Sequence, residues 1–238
     1  MTAAVRGHVG GGERSVALHA GAMAILKLVG VALMVGDHIN KHLLQGRVEA
    51  LYDAGRVAFP LFALIFAFNL ARPGFLSTGP ARRTLLRLIA SGLVASIPFI
   101  ALGHLVGGWW PLNILFTLTT ALGVQMLWHQ GGLPPKVLAV MAFVVGGGLV
   151  EFWWPGVGLV LAASAYFRRR SGGAAIAGAL CFALLCWING NAWALASVPL
   201  MASAAVFDLP NPGLPRWAFY AVYPGHLAIL WAAQAAIA

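Results

Sequence analysis

The sequence predicts an all-α protein, a polytopic transmembrane helix bundle with about nine spans. Hydrophobic residues make up 61% of the 238 residues and charged residues only 9%, whereas a soluble domain usually carries about 25% charged residues. So few polar side chains do not cover a water-exposed globule, and lipid must therefore be the main solvent. The chain has room for about eight to ten spans of about 20 residues, and no separate soluble domain fits.

Nine apolar runs, separated by short segments rich in Gly and Pro, are the candidate spans. They cover residues 21–42, 56–72, 84–104, 112–129, 136–151, 155–167, 173–189, 192–208 and 217–236. The fifth and sixth runs are short, and we interpret them as tilted halves around Trp153, Trp154 and Pro155. Residues 1–20 are polar and Gly-rich, lack the pattern of a cleaved signal peptide, and are predicted to form a flexible cytoplasmic arm before a single transmembrane domain, residues 21–238.

The distribution of basic residues predicts the orientation, because cytoplasmic loops carry an excess of Lys and Arg. If the N-terminus is cytoplasmic and nine spans alternate, three basic residues lie outside: Lys41, Arg47 and Arg56. Eleven lie inside: Arg6, Arg14, Arg72, Arg82, Arg83, Arg87, Lys136, Arg168, Arg169, Arg170 and Arg216. This bias predicts an N-in, C-out protein of the bacterial inner membrane. It also assigns the net charge of +9 to membrane flanks and lipid contacts rather than to nucleic acid.

Ionisable residues within membrane spans are costly to bury and are therefore functional candidates. In the predicted topology, the periplasmic half of the bundle collects most of them, and His226 lies near the middle of the ninth span. The candidates for the periplasmic half are Asp37, His38, Arg56, Asn113 and Glu151. The sequence therefore predicts one polar site that opens towards the periplasm.

His38 is the best candidate for a general base, since histidine exchanges protons near neutral pH. Asp37 is a candidate to orient its imidazole. Arg56 is expected either to pair with Asp37 or Glu151, or to bind an oxyanion, and Glu151 is either a second acid/base or that partner of Arg56. Asn113 is either an amide donor to an oxyanion or a cap for the following helix.

Three further basic residues are candidates for binding a nucleotide-like cofactor from the cytoplasm. Lys27 lies on the same helix face as His38, about 16 Å away, and is either part of a polar stripe or a snorkelling anchor. Arg83 and Arg87 share a helix face and bind either cofactor phosphates or anionic lipid.

No metal site is predicted. His38 and His42 have the i, i+4 spacing of metal ligands, but the sequence offers no clear third partner. We interpret His104 and His129 as loop or interface histidines. P-loop, GxGxxG, GxSxG and CxxC motifs are absent from the sequence.

Several segments, in order along residues 22 to 232, resemble the TraX family, which is typified by the F-pilin acetylase of conjugative plasmids and is similar to the TrbP conjugal-transfer proteins. These segments are Met34-Val-Gly-Asp37-His38, Gly55-Arg56-Val-Ala-Phe-Pro60-Leu-Phe62, Arg87-Leu-Ile with Ile97-Pro98-Phe99, Leu112-Asn113-Ile-Leu-Phe116-Thr117-Leu, Glu151 with Gly156-Val-Gly158, and Phe219-Tyr220-Ala-Val-Tyr223-Pro224-Gly-His226-Leu227.

The resemblance implies a membrane N-acetyltransferase that uses acetyl-CoA as the acetyl donor. Its acceptor would be the N-terminal amine of a pilin subunit on the periplasmic side, where the polar site is predicted. The acetyl group would pass either directly to the amine or by way of an acetylated His38 or His226, and in a direct transfer His226 would line the acyl path. Three alternatives stay open: an acyltransferase for a glycan or another small acceptor, a proton-coupled transporter, and a non-catalytic partner in pilus assembly.

Overall fold

The computed structural model describes residues 18–77, 79–213, 215 and 217–237, and it is helical throughout, with no β-strand among these residues. Nine helical segments follow one another along the chain. They are α1 (Ala20–His42), α2 (Glu49–Leu70), α3 (Pro80–Ala101), α4 (Ile114–Gln130), α5 (Leu133–Leu149), α6 (Trp153–Arg169), α7 (Gly172–Asn189), α8 (Trp193–Ser203) and α9 (Ala218–Ile237).

Four of these helices, α1, α2, α3 and α7, are long and apolar enough to cross a membrane. This supports a membrane protein, while the full count of nine spans stays a prediction. Two boundaries differ from the expectation. Helix α8 ends at Ser203 rather than 208, and its length of about 16 Å is roughly half the thickness of a bilayer core. Helix α2 begins at Glu49, so Arg56 lies inside the helix rather than at its start.

Neighbouring helices along the chain run in opposite directions where side-chain contacts define their pairing. In the α1–α2 hairpin, Arg56 bonds Asp37 while a Cβ on Gly30 would touch Phe62. The α3–α4 pair is antiparallel too, since Asn113 at the start of α4 bonds Ser96 late in α3. Helices α1 and α9 are parallel, because Lys27 lies over Phe219 and His38 bonds His226. This alternation is the arrangement that successive membrane crossings require.

The helix directions also place the basic residues at one end of the bundle. Arg72, Arg82, Arg83, Arg87, Lys136 and Arg168 to Arg170 lie near the ends of helices opposite to the C-terminal end of α1. By the positive-inside rule this end faces the cytoplasm, and the C-terminal end of α1 faces the periplasm. That absolute orientation remains a prediction. We call these two ends the basic end and the His38 end.

The proposed cytoplasmic arm falls mostly outside the described residues, which begin at Leu18. The last residues of that arm are attached to the bundle: the His19 amide donates to the Ala204 carbonyl at 2.9 Å, and its imidazole lies 3.2 Å from the Asp208 carboxylate. Arg216, which also contributes to the orientation argument, lies outside the described residues.

Helices α1 and α2 approach each other closely at Gly55. A Cβ atom placed there would lie 2.4 Å from Cβ of Asp37, closer than any normal contact. The absent side chain therefore lets the two backbones come near enough for Arg56, the next residue, to reach the Asp37 carboxylate.

Gly55→Ala is expected to force α1 and α2 apart and to lower the stability of the protein by about 1–3 kcal/mol, as overpacking of a close contact does. The thermal unfolding midpoint in detergent measures the change. Gly123→Ala is the matched control, because a Cβ at that helical position meets nothing within 4 Å and alanine favours the helix. Equal midpoints for the two variants would contradict the close approach.

Candidate functional site

A cavity of about 690 Å³ opens at the His38 end of the bundle. Helices α1 and α2, the turn between α5 and α6, and helix α9 all contribute to its lining. Four of the residues singled out from the sequence line it: Asp37, His38, Arg56 and Glu151. Four of the five polar residues that the topology placed in one half of the bundle thus share one cavity.

His38 is hydrogen-bonded to His226, which lies 188 positions away in the chain. The distance from His38 Nδ1 to His226 Nε2 is 2.7 Å, and the ring planes are within 11° of parallel with centroids 5.0 Å apart. His226 is 8% exposed and is flanked by Tyr223, whose ring meets it edge-on at 5.4 Å. This bond joins α1 to α9.

The position of the protons in this pair follows from the third partner. Nδ1 of His226 lies 3.0 Å from the carbonyl oxygen of Val222. A carbonyl only accepts, so His226 carries its proton on Nδ1 and presents a lone pair at Nε2. His38 must then donate from Nδ1, which leaves Nε2 of His38 without a proton. A neutral histidine in this tautomer is a base at Nε2, oriented by its neighbour as in other His-containing sites.

Asp37 and Arg56 form an ion pair at the wall of the cavity. The two side chains are 14% and 17% exposed, and the guanidinium donates to the Asp37 carboxylate. Arg56 is held further by the Tyr52 carbonyl at 3.2 Å and by the Tyr52 ring, 4.3 Å from its guanidinium carbon. Of the alternatives open for Asp37 and Arg56, the structure shows pairing with each other, and His226 rather than Asp37 bonds His38.

Glu151 lies in the turn between α5 and α6, and its backbone is held from both sides. Its amide donates to the Leu112 carbonyl at 3.0 Å, and its carbonyl accepts from the Thr117 hydroxyl at 2.9 Å. The next residue, Phe152, has a left-handed backbone with φ of 58°, a conformation that is rare for a bulky side chain. Its ring stacks on Phe59 at 4.5 Å. This turn fixes the Glu151 side chain towards the cavity.

Asn113 is fully buried and does not line the cavity. Its side-chain oxygen accepts from the Leu115 amide at 3.2 Å and thereby caps α4. Its amide nitrogen donates to the Gly92 carbonyl and to the Ser96 hydroxyl, at 2.9 and 3.0 Å. Both amide hydrogens are used, so the geometry favours the capping alternative for Asn113. A role for it as oxyanion donor stays an untested prediction.

The sequence reasoning gave no functional role to two further residues of the cavity, His104 and Tyr52. The ring of His104 lies 5.6 Å from that of His42, which in turn lies 6.0 Å from His38. No local motif signals His104, because it lies in the loop after α3 and its partner His42 is on α1. Within the part of the chain that the structure describes, no group of three His, Cys, Asp or Glu is arranged to hold a metal ion.

The three candidate cofactor-binding residues lie away from this cavity, towards the basic end. Lys27 is placed over the Phe219 ring at 5.2 Å, and Arg87 lies near the adjacent Tyr220. Arg83, one helical turn before Arg87, is exposed like it. Lys27 and Arg87 therefore both lie near the start of α9, while the cavity extends only to Met34 on α1.

Comparison with known proteins identifies the family of this chain. The sequence model of the family described as TraX protein matches residues 22–234. The chain belongs to the TraX family. It is similar to Protein TraX of Escherichia coli, with 30% identity over 217 residues that cover 87% of this chain and 84% of that protein. No solved structure matches the chain. The family resemblance predicted from the sequence is thus confirmed.

Substitutions of Asp37 and Arg56 test whether this ion pair stabilises the TraX-family protein. Asp37→Asn and Arg56→Gln each leave one partly buried charge without its partner, and each is expected to lower stability by about 3–5 kcal/mol. The double variant is expected to lose less than the sum, with a coupling energy of about 1 kcal/mol or more. Thermal unfolding in detergent measures all three. Arg47→Gln, an exposed change, is the control, and additive losses would contradict the pair.

Proposed function

We propose that this TraX-family protein is a membrane N-acetyltransferase. It moves acetyl from cytosolic acetyl-CoA to the N-terminal amine of a conjugative pilin on the periplasmic side of the inner membrane. The observation that carries the proposal is the His38–His226 pair, which leaves an unprotonated His38 Nε2 beside an open cavity. Amine acylation needs such a base, and the family resemblance supplies the acyl donor and the acceptor.

His38 acts as the general base in this scheme. The neutral amine attacks the carbonyl carbon of the thioester, a C–N bond forms, and the C–S bond breaks. His38 Nε2 takes the proton that the nitrogen must lose and then passes it to the coenzyme A thiolate as that group leaves. While His38 is doubly protonated, its Nδ1–H bond to His226 shares the positive charge with the second ring. His226 in this scheme is a positioning residue.

Arg56 is the group we assign to the oxyanion that forms on the thioester carbonyl. It lines the cavity, and its guanidinium has more donors than the Asp37 carboxylate and the Tyr52 carbonyl occupy. Asp37 and Tyr52 fix its direction, and a donor that is held in place before the reaction stabilises a developing charge most effectively.

The donor would bind at the basic end, where Lys27, Arg83 and Arg87 offer cations to its phosphates. The same two helices connect this end to the base: α1 and α9 meet at Lys27 and Phe219 and again at His38 and His226. A thioester arm that follows the α1–α9 interface would therefore arrive beside His38. The distance along α1 is about 16 Å.

The direct test is the intact mass of the mature pilin after co-expression with this protein. We expect the pilin to gain the mass of one acetyl group. His38→Gln is expected to abolish the gain, because glutamine has no basic nitrogen, and His129→Gln, a change at an exposed histidine of the basic end, is expected to retain it.

Two substitutions of His226 distinguish a role in positioning His38 from a role in stability alone. His226→Leu removes the acceptor for His38 Nδ1–H and is expected to lower the acetylation rate at least roughly tenfold, as loss of a tautomer-fixing partner does. His226→Gln keeps a side-chain acceptor and is expected to recover part of the rate.

An unmodified pilin with wild-type protein would refute pilin acetylation and favour a glycan acceptor or transport. Full acetylation by His38→Gln would refute His38 as the base.

A further inference from the structure

Glu151 is a carboxylate in the cavity without a cationic partner. The ion pairs among the described residues are Asp37 with Arg56 and His19 with Asp208. No Lys or Arg nitrogen of this part of the chain lies within 4.0 Å of the Glu151 carboxylate. Lys41 and Arg56 are the nearest cations whose charge acts on it. Arg56 is already committed to Asp37, and Lys41 is exposed at the mouth.

A purely local role for Glu151 is helix capping. Its carboxyl lies near the backbone amide of Ile114 in the first turn of α4, where helix amides lack intrahelical partners. Capping alone needs only one acceptor oxygen, which a neutral glutamine also supplies. A charge is not needed there, and burying an unpaired carboxylate is costly. The second oxygen is therefore available for a ligand, and a bound cation would offset the cost of burying the charged form.

We propose that Glu151 binds the ammonium form of the acceptor's primary amine and holds it beside His38. This inference rests on the proposed acetyl transfer, since it names the group that the same cavity recognises. A peptide N-terminus is mostly cationic near neutral pH, because its reference pKa is about 7.7–8.0. A carboxylate with no partner in the protein is the complement of such a cation.

If the acceptor binds as an ammonium, the reaction must remove two protons from its nitrogen. A protonated amine and a thioester give an amide, a free thiol and one proton. The first proton leaves the ammonium to His38 and then to water at the cavity mouth, past His42 and Lys41. The second leaves the nitrogen as the C–N bond forms and ends on the departing sulfur. Glu151 selects a cationic acceptor, and His38 converts it into the nucleophile.

Two other side chains of the cavity that could attract a cation already have partners. Asp37 is neutralised by Arg56, and the Tyr223 ring faces His226. Lys41 and Arg56 would repel an ammonium in this cavity, and Glu151 is the carboxylate left to attract it. Electrostatics therefore favours a position beside Glu151.

Binding to a pair of matched probes tests the proposal without acetyl transfer. The probes are tetra-alanine amide and its analogue in which hydrogen replaces the N-terminal ammonium, and titration calorimetry on the full-length protein in detergent measures both. The wild type is expected to bind the amine about tenfold more tightly than the analogue, the gain of one charge-assisted contact. Glu151→Gln keeps the cap and is expected to abolish this preference, while Glu49→Gln, at an exposed position, is expected to keep it.

A preference that survives in Glu151→Gln would overturn the proposal, and so would a wild type that binds neither probe or both equally. The result is separable from the proposed function. Preference without acetylation of pilin would leave the ammonium site standing and refute the acetyltransferase. Acetylation without preference would refute only the role of Glu151.

Discussion

The hydrogen bond between His38 and His226 is the interaction on which the site depends. It connects the first and last helices of the described bundle, and it decides which nitrogen of His38 remains basic. The Val222 carbonyl begins this chain of donors and acceptors within α9, so the helix backbone sets the tautomer of a histidine on α1. Without His226, the proton position on His38 would not be fixed. In a low-dielectric bundle a satisfied pair of this kind is worth more than the same pair in water.

The charged groups around this pair are arranged so that one carboxylate of the cavity, Glu151, is left without a cationic partner among the described residues. Gly55 brings α2 close to Asp37, which allows Arg56 to neutralise the carboxylate beside His38. At the opposite side of the cavity, the left-handed turn at Phe152 directs Glu151 inward, and the stacked rings of Phe59 and Phe152 fill the space behind it. The strain of that turn is of order 1–3 kcal/mol, and it lies next to the carboxyl group that we propose binds the acceptor.

Much of the fold could be predicted from the sequence, because apolar length and turn residues locate helices whose backbone bonds must be satisfied internally. Each of the nine apolar runs overlaps a helix. The boundary of α2 was wrong because Glu49, Tyr52 and Asp53 are polar and aromatic residues at a membrane edge, where hydropathy falls although the helix continues. The end of α8 was wrong for the opposite reason: apolar Val206 and Phe207 extend the hydrophobic signal past the last helical turn.

The candidate site was predictable as a set of residues but not as a set of contacts. Topology placed Asp37, His38, Arg56 and Glu151 at one end, yet adjacency in sequence suggested Asp37 as the partner of His38. The real partner, His226, is 188 positions away, and no spacing rule reaches that far. For Asn113 the sequence left capping and oxyanion binding equally open, and only the positions of Gly92 and Ser96 on α3 favour the cap.

Nitrogen-15 NMR of the histidine side chains tests the central claim most directly. Protein labelled at both ring nitrogens, with His38 and His226 assigned from single substitutions, would report which nitrogens carry protons at neutral pH. The structure predicts that both rings are neutral and protonated at Nδ1, with a bare Nε2 on His38. A His38 ring protonated at Nε2, or at both nitrogens, would contradict its assignment as the base of the site.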